Sequence, residues 1–299
     1  ICWYPWGPIF FFQTIMKIIV ALLCVCAAFA FLEEPACTDE MVNHINSLGT
    51  TWVAHKSPRF EGQTKNDVAR LCGAVTGEKA YRPPELEIEP LKDIPDNFDS
   101  RTNWPKCTIL AHVRDQSDCG SCWAHGSTEA LNDRMCVKSG GTFNTELSVQ
   151  DITSCCNFLH CLSMGCNGGQ PGMAWAYFVK HGVVTGGDYN TIGDGKSCWP
   201  YQLPICNHHV EGPYQNCTGS YATPKCRDSC TEAKYPKKFA EDRFYAQKHY
   251  SIKGVEKIQT QIMTKGPVTA AFSVYADFPL YKSGVYSHKT GSSLGGHAI

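Results

Sequence analysis

Eighteen cysteines constrain this chain more than any other feature of its sequence. So many are foreign to an ordinary cytosolic enzyme and point to an oxidising compartment. From residue 94 onward they are Cys107, Cys119, Cys122, Cys136, Cys155, Cys156, Cys161, Cys166, Cys198, Cys206, Cys217, Cys226 and Cys230. Thirteen is odd, so six pairs leave one thiol over. Parity alone does not say which. Cys122 is the best candidate, because it opens a helical pattern whose backbone N–H groups stabilise a thiolate and lower its pKa.

Two rival uses of the cysteines are weaker. Cys119-Gly120-Ser121-Cys122 resembles a redox pair only in spacing, since the flanking sequence offers no βαβ setting. Cys155, Cys156, Cys161 and Cys166 could hold zinc, but adjacent cysteines in a disulfide-rich secreted chain are more often bridged. The reading therefore assigns no metal and no cofactor. A formal net charge of −1 gives no case for nucleic-acid binding.

An export signal agrees with the cysteines. Met16-Lys17 is a basic start, Ile18 to Ala27 an apolar core, and Ala28-Phe29-Ala30 a cleavage site. The segment reads as a signal peptide over residues 16–30 rather than an anchor, because Lys17 interrupts the apolar run. Stable membrane insertion is not expected after its removal. Residues 1–15 lack an initiating Met and read as translated upstream sequence.

Residues 31–93 read as a separate segment. Met41, Val42, Ile45 and Leu48 have helical spacing, and Val68, Ala69, Leu71 and Cys72 form a second short apolar stretch. The Pro-rich, acidic run Tyr81 to Pro90 is an exposed, easily cut linker, so the segment reads as a removable pro-segment. From Ile94 the texture turns aromatic and rich in Gly and Cys. A helix is expected from Cys122 to about Lys138, with Trp123, Ser127, Ala130, Leu131 and Met135 as its buried stripe and Gly140-Gly141 as its stop. Ser148 caps a short helix with Asp151 three residues on, and Pro171 opens another that Gly182 closes. Residues 186–250 read as long loops, functional or pinned by disulfides. Val255 to Lys265 is helical; Val268–Tyr275, the Gly284–Tyr286 region and His297–Ile299 are strands. Helices first and strands later give an α+β fold.

Gln116-Ser117-Asp118-Cys119-Gly120-Ser121-Cys122-Trp123-Ala124 resembles the active-site segment of papain-like cysteine proteases. Residues 36–299 are similar to the cathepsin B branch of that family. The resemblance rests on Thr50-Thr51-Trp52, Arg70-Leu71-Cys72-Gly73, Cys166-Asn167-Gly168-Gly169, Cys206-Asn207-His208-His209-Val210 and Tyr281-Lys282-Ser283-Gly284-Val285-Tyr286. It implies a papain-like fold of a helical and a β-barrel-like lobe with a cleft between them. Residues 31–93 would be its inhibitory pro-segment and residues 94–299 its peptidase domain.

The resemblance also implies roles. Cys122 is the nucleophile, His297 its base, and Gln116 the side-chain donor to the oxyanion. Gly168 and Gly169 admit an extended substrate backbone, and Pro171, Ala271 and Ala298 line an apolar pocket. The spacing from Cys122 to His297 exceeds the roughly 130–150 residues of simple papain-like enzymes. The excess fits an occluding loop bracketed by Cys206 and Cys217. Its His208 and His209 would bind a substrate's C-terminal carboxylate, with Asp115 pairing His208 to hold the loop down. The implied pairs are 107–136, 119–166, 155–226, 156–161, 198–230 and 206–217, which leave Cys122 unbridged. The implied activity is endopeptidase plus removal of C-terminal dipeptides. Its partners are peptide and protein substrates, the chain's own pro-segment and cystatin-type inhibitors. The setting is the secretory pathway, ending in a lysosome or an extracellular space such as a gut lumen. The rival reading is a catalytically silent, peptide-binding homologue, but Cys122, Gln116 and His297 are all in place.

Three departures stand out. Tyr214 falls where the family has a clamping arginine, which favours endopeptidase action. His125 replaces a usual aromatic, either as a buried polar partner or as a local pH influence. The family's orienting asparagine, its shielding indole and several strands fall beyond Ile299, so the chain reads as an incomplete peptidase domain, expected to fold poorly or lack activity. Asn216-Cys217-Thr218 is a glycosylation sequon with a cysteine expected to be bridged.

Overall fold

The computed structural model describes residues 17–20, 33–208, 210–217, 219 and 221–299. Most of the expected signal peptide, the upstream residues, His209 and Thr218 lie outside the described residues. Among the described residues, no helix is long and apolar enough to cross a membrane. The chain forms two compact units, one running to Val68 and including Ala276–Thr290, the other comprising Ala69–Tyr275 and Gly291–Ile299.

In the first unit, helix α1 (Asp39–Ser47) starts where the Thr38 hydroxyl accepts from the Met41 N–H at 3.2 Å. Its apolar spacing seats Ile45 in full burial, while Leu48 caps the end and stays exposed. Strand β1 (Trp52–Ala54) pairs antiparallel with β3 (Tyr281–Gly284). Trp52 is buried and its indole N–H donates to the Ser287 carbonyl at 2.9 Å. The third strand was expected around Gly284–Tyr286, but pairing ends at Gly284. Tyr286 instead packs on Trp52 with ring centroids 5.1 Å apart and donates its hydroxyl to buried Asp277. That carboxylate also accepts from the Lys289 and Thr290 N–H groups and orders the turn.

The second unit is organised around α2 (Cys122–Lys138). Every residue from Cys122 to Thr128 is buried, so its first half is a central helix rather than a surface one. Trp123, Ser127, Ala130 and Leu131 are buried and Met135 is partly so. Gly140 and Gly141 follow with φ of 64° and 89°. Helix α3 (Val149–Cys155) is capped by the Ser148 hydroxyl, which accepts from the Asp151 N–H at 3.0 Å. Helix α4 (Pro171–Lys180) buries Ala174, Tyr177 and Phe178, and α5 (Val255–Lys265) runs between Gly254 and Gly266. Strand β2 (Ala271–Tyr275) pairs antiparallel with β4 (Ser293–Ala298), with Phe272 opposite His297 and Ala271 opposite Ala298. Strand β4 begins four residues before the expected start. Pairing with β2, with Val274 opposite Gly295 and Ser273 opposite Gly296, carries the strand through both glycines.

The core gathers Trp123, Trp199, Phe178, Leu147, Ile152 and the pair Val183 and Val184. Among the described residues, six disulfides join Cys107–Cys136, Cys119–Cys166, Cys155–Cys226, Cys156–Cys161, Cys198–Cys230 and Cys206–Cys217. Three of them pin the long loops between residues 186 and 250, whose described residues form no α-helix or strand. Each bridge limits the unfolded chain, so loops without periodicity of their own still take one course.

Candidate active site

Cys122 is the first residue of α2. The preceding Ser121 does not cap the helix with its side chain. Its hydroxyl donates to the Tyr201 oxygen at 2.9 Å, and the Tyr201 hydroxyl in turn donates to the Gln116 carbonyl at 3.0 Å. The Cys122 and Trp123 N–H groups stay directed at the sulfur, and Gln116 is tied to the helix start. The Cys119–Cys166 bridge and a hydrogen bond from the Gly120 N–H to the Cys166 carbonyl at 2.9 Å fasten this segment to the Gly165–Gly169 loop.

That loop forms a wall around Trp123. The indole is fully buried and donates to the Gly165 carbonyl at 3.0 Å. Gly169 lies flat on it: a Cβ there would sit 2.5 Å from two ring carbons. Gly168 has φ of 104°. Another wall is β4. Cys122 Sγ lies 4.0 Å from the Gly296 carbonyl oxygen, so the residue before His297 touches the sulfur. The His297 ring meets the Phe272 ring edge-on at 5.9 Å. Ala298 is buried, Ala271 is exposed, and Pro171 sits half-buried at the start of α4.

Between these walls runs an extended stretch, Cys72–Val75, just past the helix Lys65–Leu71. The Gly169 N–H donates to the Gly73 carbonyl at 2.7 Å, and the Val75 N–H donates to the Gly169 carbonyl at 2.9 Å. On the other side the Ala74 N–H donates to the Gly296 carbonyl at 2.9 Å. Both contacts are parallel bridges. Gly73 is required here, since a Cβ would lie 1.7 Å from the Gly120 carbonyl oxygen. The Gln116 side-chain amide donates to the Leu71 carbonyl at 3.2 Å and to the Cys119 carbonyl at 2.7 Å.

This stretch changes the chemistry of the thiol. The helix start was expected to lower the Cys122 pKa. Burial raises it instead and outweighs the backbone groups of Ala298, Gly73, Trp123 and Cys122 that favour the thiolate. With Cys122 only 1% exposed, the helix N-terminus loses to desolvation. Cys72 is pushed up to about 12, first by its own burial and then by the neighbouring Cys122.

Asp115 and His208 meet. His208 Nε2 lies 2.9 Å from Asp115 Oδ2 and 3.1 Å from Oδ1. Asp115 Oδ1 also accepts from the Ser117 N–H at 2.5 Å, so one carboxylate touches both flanks of Gln116 and the bridged loop. Within that loop Asn207 does the bracing. Its amide accepts from the Tyr214 N–H at 3.0 Å and donates to the Gly212 carbonyl at 3.2 Å. Tyr214 itself is exposed.

His125 is settled as a buried polar partner. It is 7% exposed, its Nδ1–H donates to the Ser121 carbonyl at 3.1 Å, and its ring packs edge-on against Tyr201 at 5.0 Å. Burial lowers its pKa to about 4, so it stays neutral down to acidic pH. Sequence reasoning missed Gln170. Its side chain accepts from the Tyr81 N–H at 2.7 Å and donates to the Lys79 carbonyl at 3.3 Å. The only sequence hint was its place before Pro171, at a helix start.

Residues 94–299 match the papain family cysteine protease domain, and residues 37–78 match the peptidase family C1 propeptide. The chain is 43% identical over 292 residues to a cathepsin B-like cysteine proteinase of Schistosoma japonicum, covering 92% of this chain and 83% of the relative. It is 41% identical over 293 residues to cathepsin B-like cysteine proteinase 5 of Caenorhabditis elegans, covering 93% and 82%. Its structure is similar to that of proCathepsin B S9 from Trypanosoma congolense, with a TM-score of 0.72, 31% identity, and coverage of 88% of this chain and 82% of that one. A buried cysteine at a helix start, touching the strand that carries a histidine and crossed by a propeptide, agrees with these matches: the chain belongs to the papain family of cysteine proteases, as a cathepsin B-like member with its propeptide.

Proposed function

We propose that the chain is the zymogen of a cysteine endopeptidase that also removes C-terminal dipeptides, made for the secretory pathway. Cys122 transfers its proton to His297, and the sulfur attacks the substrate carbonyl. The carbonyl oxygen takes up the negative charge beside the Gln116 amide and the Cys122 N–H. The C–N bond breaks as His297 returns the proton to the leaving amine. Water then attacks the thioester, again through His297, and frees the acid and the thiol. Gly168 and Gly169 receive the substrate backbone in the way Gly169 now pairs with Gly73 and Val75. Pro171, Ala271 and Ala298 line the apolar pocket.

The observation that carries the peptidyl-dipeptidase reading is the contact between His208 and Asp115, one residue from Gln116. An imidazole held there, with His209 beside it in sequence, is suited to a substrate carboxylate at acidic pH. Asp115 then anchors the loop. The test compares a peptide with a free C-terminal carboxylate and the same peptide as its amide, both incubated with the activated full-length enzyme. Dipeptide release from the acid and its loss from the amide are expected; equal release, or none, overturns the peptidyl-dipeptidase reading. Labelling with an epoxysuccinyl inhibitor tests the enzyme itself, and a protein unmodified at Cys122 would be a silent homologue.

A further inference from the structure

A second polar cluster lies away from the nucleophile. His112 Nε2 is 2.8 Å from Asp188 Oδ2 and 3.3 Å from Glu146 Oε1. The three donor atoms lie within 4.8 Å of one another. Around a small cation bound at roughly 2.0–2.1 Å, the edges of a ligand tetrahedron are about 3.3 Å. One imidazole and two carboxylates are a donor set for a zinc-class ion with its fourth position open. Asp188 is already oriented for the task. Its Oδ1 accepts from Arg114 Nε at 3.2 Å, which turns Oδ2 toward His112.

Arg114 supplies an independent observation. Its side chain is 3% exposed, and Nη1 donates to the Leu147 carbonyl at 2.9 Å. Nη2 is buried and finds no acceptor. A buried donor left unpaired is destabilising, the more so on a charged group. Arg114 lines a cavity of about 20 Å³, together with His112, Glu129, Asp133 and Glu146. That is room for about one water. A water on the open position of a cation would sit in this cavity and accept from Nη2. Glu129, Asp133 and Glu146 add carboxyl oxygens around the same cavity.

We propose that His112 Nε2, Glu146 Oε1 and Asp188 Oδ2 form a site for a zinc-class divalent cation, whose bound water accepts from Arg114. The ion ties together the segment leading into Asp115 and Gln116, the residue before Leu147, and the turn after Gly187. The cysteine-based reading of the sequence missed it because its ligands are carboxylates and an imidazole far apart along the chain.

The test uses the full-length zymogen carrying Cys122→Ser, so that the active-site thiol cannot take up metal. Zn²⁺ binding is measured by competition with a chromophoric chelator at neutral pH, alongside the thermal midpoint with and without Zn²⁺. One equivalent is expected, with a saturable rise in the midpoint. His112→Gln and Glu146→Gln should each weaken binding by about ten-fold or more. Both should keep the metal-free midpoint near that of the parent, because both side chains are at least partly exposed. No stoichiometric binding in the parent, or parental affinity in both variants, overturns the site. Binding lost through His208→Gln but kept in His112→Gln overturns it as well.

Discussion

His125→Phe should change how stability responds to acid. The His125 pKa is lowered from 6.5 to about 4, first by burial and then by the nearby Arg114 charge. The unfolded chain therefore binds a proton in a range where the folded chain refuses it. Between about pH 6.5 and 4 the unfolded state holds more protons, so stability falls as pH falls. With those two values, going from pH 7 to pH 5 removes about 2 kcal/mol, and the whole shift corresponds to about 3 kcal/mol. Phenylalanine cannot take up a proton and keeps an aromatic edge against Tyr201. It gives up the bonds to Ser121, a loss of about 1 kcal/mol that does not depend on pH. Asp151, buried and raised to about 6, pulls the other way, but it is present in both proteins and cancels. Urea denaturation of the zymogen and the variant at both pH values isolates the difference. The variant should lose about 2 kcal/mol less than the parent between pH 7 and 5. Equal losses would refute the claim that His125 is buried in its neutral form.

Three further perturbations follow from the site. Gly73→Ala forces a methyl onto the Gly120 carbonyl oxygen. It should weaken pro-segment binding by about 1–3 kcal/mol, read as a roughly 5- to 150-fold higher inhibition constant for the pro-peptide added in trans. Gly169→Ala drives a methyl into the Trp123 ring and should destabilise the fold by a similar 1–3 kcal/mol, read by urea denaturation. Asp115→Asn removes the charge that His208 faces. It should lower dipeptide release relative to internal cleavage several-fold, and an unchanged ratio of the two rates would count against Asp115 as the loop anchor.

Local chemistry made much of the fold readable. The helix at Cys122 was visible from its apolar stripe and Gly-Gly stop, and the helix after Ser148 from its cap. The strand at Ser293 was not, because two glycines hide a pairing that only β2 supplies. The same gap explains the thiol. The helix start was visible at Cys122, but the raised pKa depends on Gly73, far earlier in the chain and placed over the sulfur by tertiary contacts. His125 could not be interpreted from sequence because its partner Tyr201 is remote. Gln170 escaped notice for a different reason: a glutamine before a proline resembles any helix start until Tyr81 and Lys79 arrive beside it.

The Cys72–Val75 stretch makes one event of several. Its backbone occupies Gly169 on one wall and Gly296 on the other, while the Leu71 carbonyl takes the Gln116 amide. Withdrawal of the stretch would free the Gly169 and Gly296 backbone, release the Gln116 amide and return water to Cys122 together. The last change reverses the balance at the sulfur. Desolvation is the leading cause that holds its pKa up, whereas several of the backbone groups that lower it belong to the peptidase and would stay behind. Trp123 and Cys122 keep their N–H groups at the helix start, so the exposed thiol should become more acidic without any rearrangement of α2. Latency then requires no distorted catalytic geometry. The active helix is already built, and one extended segment keeps its sulfur dry and protonated.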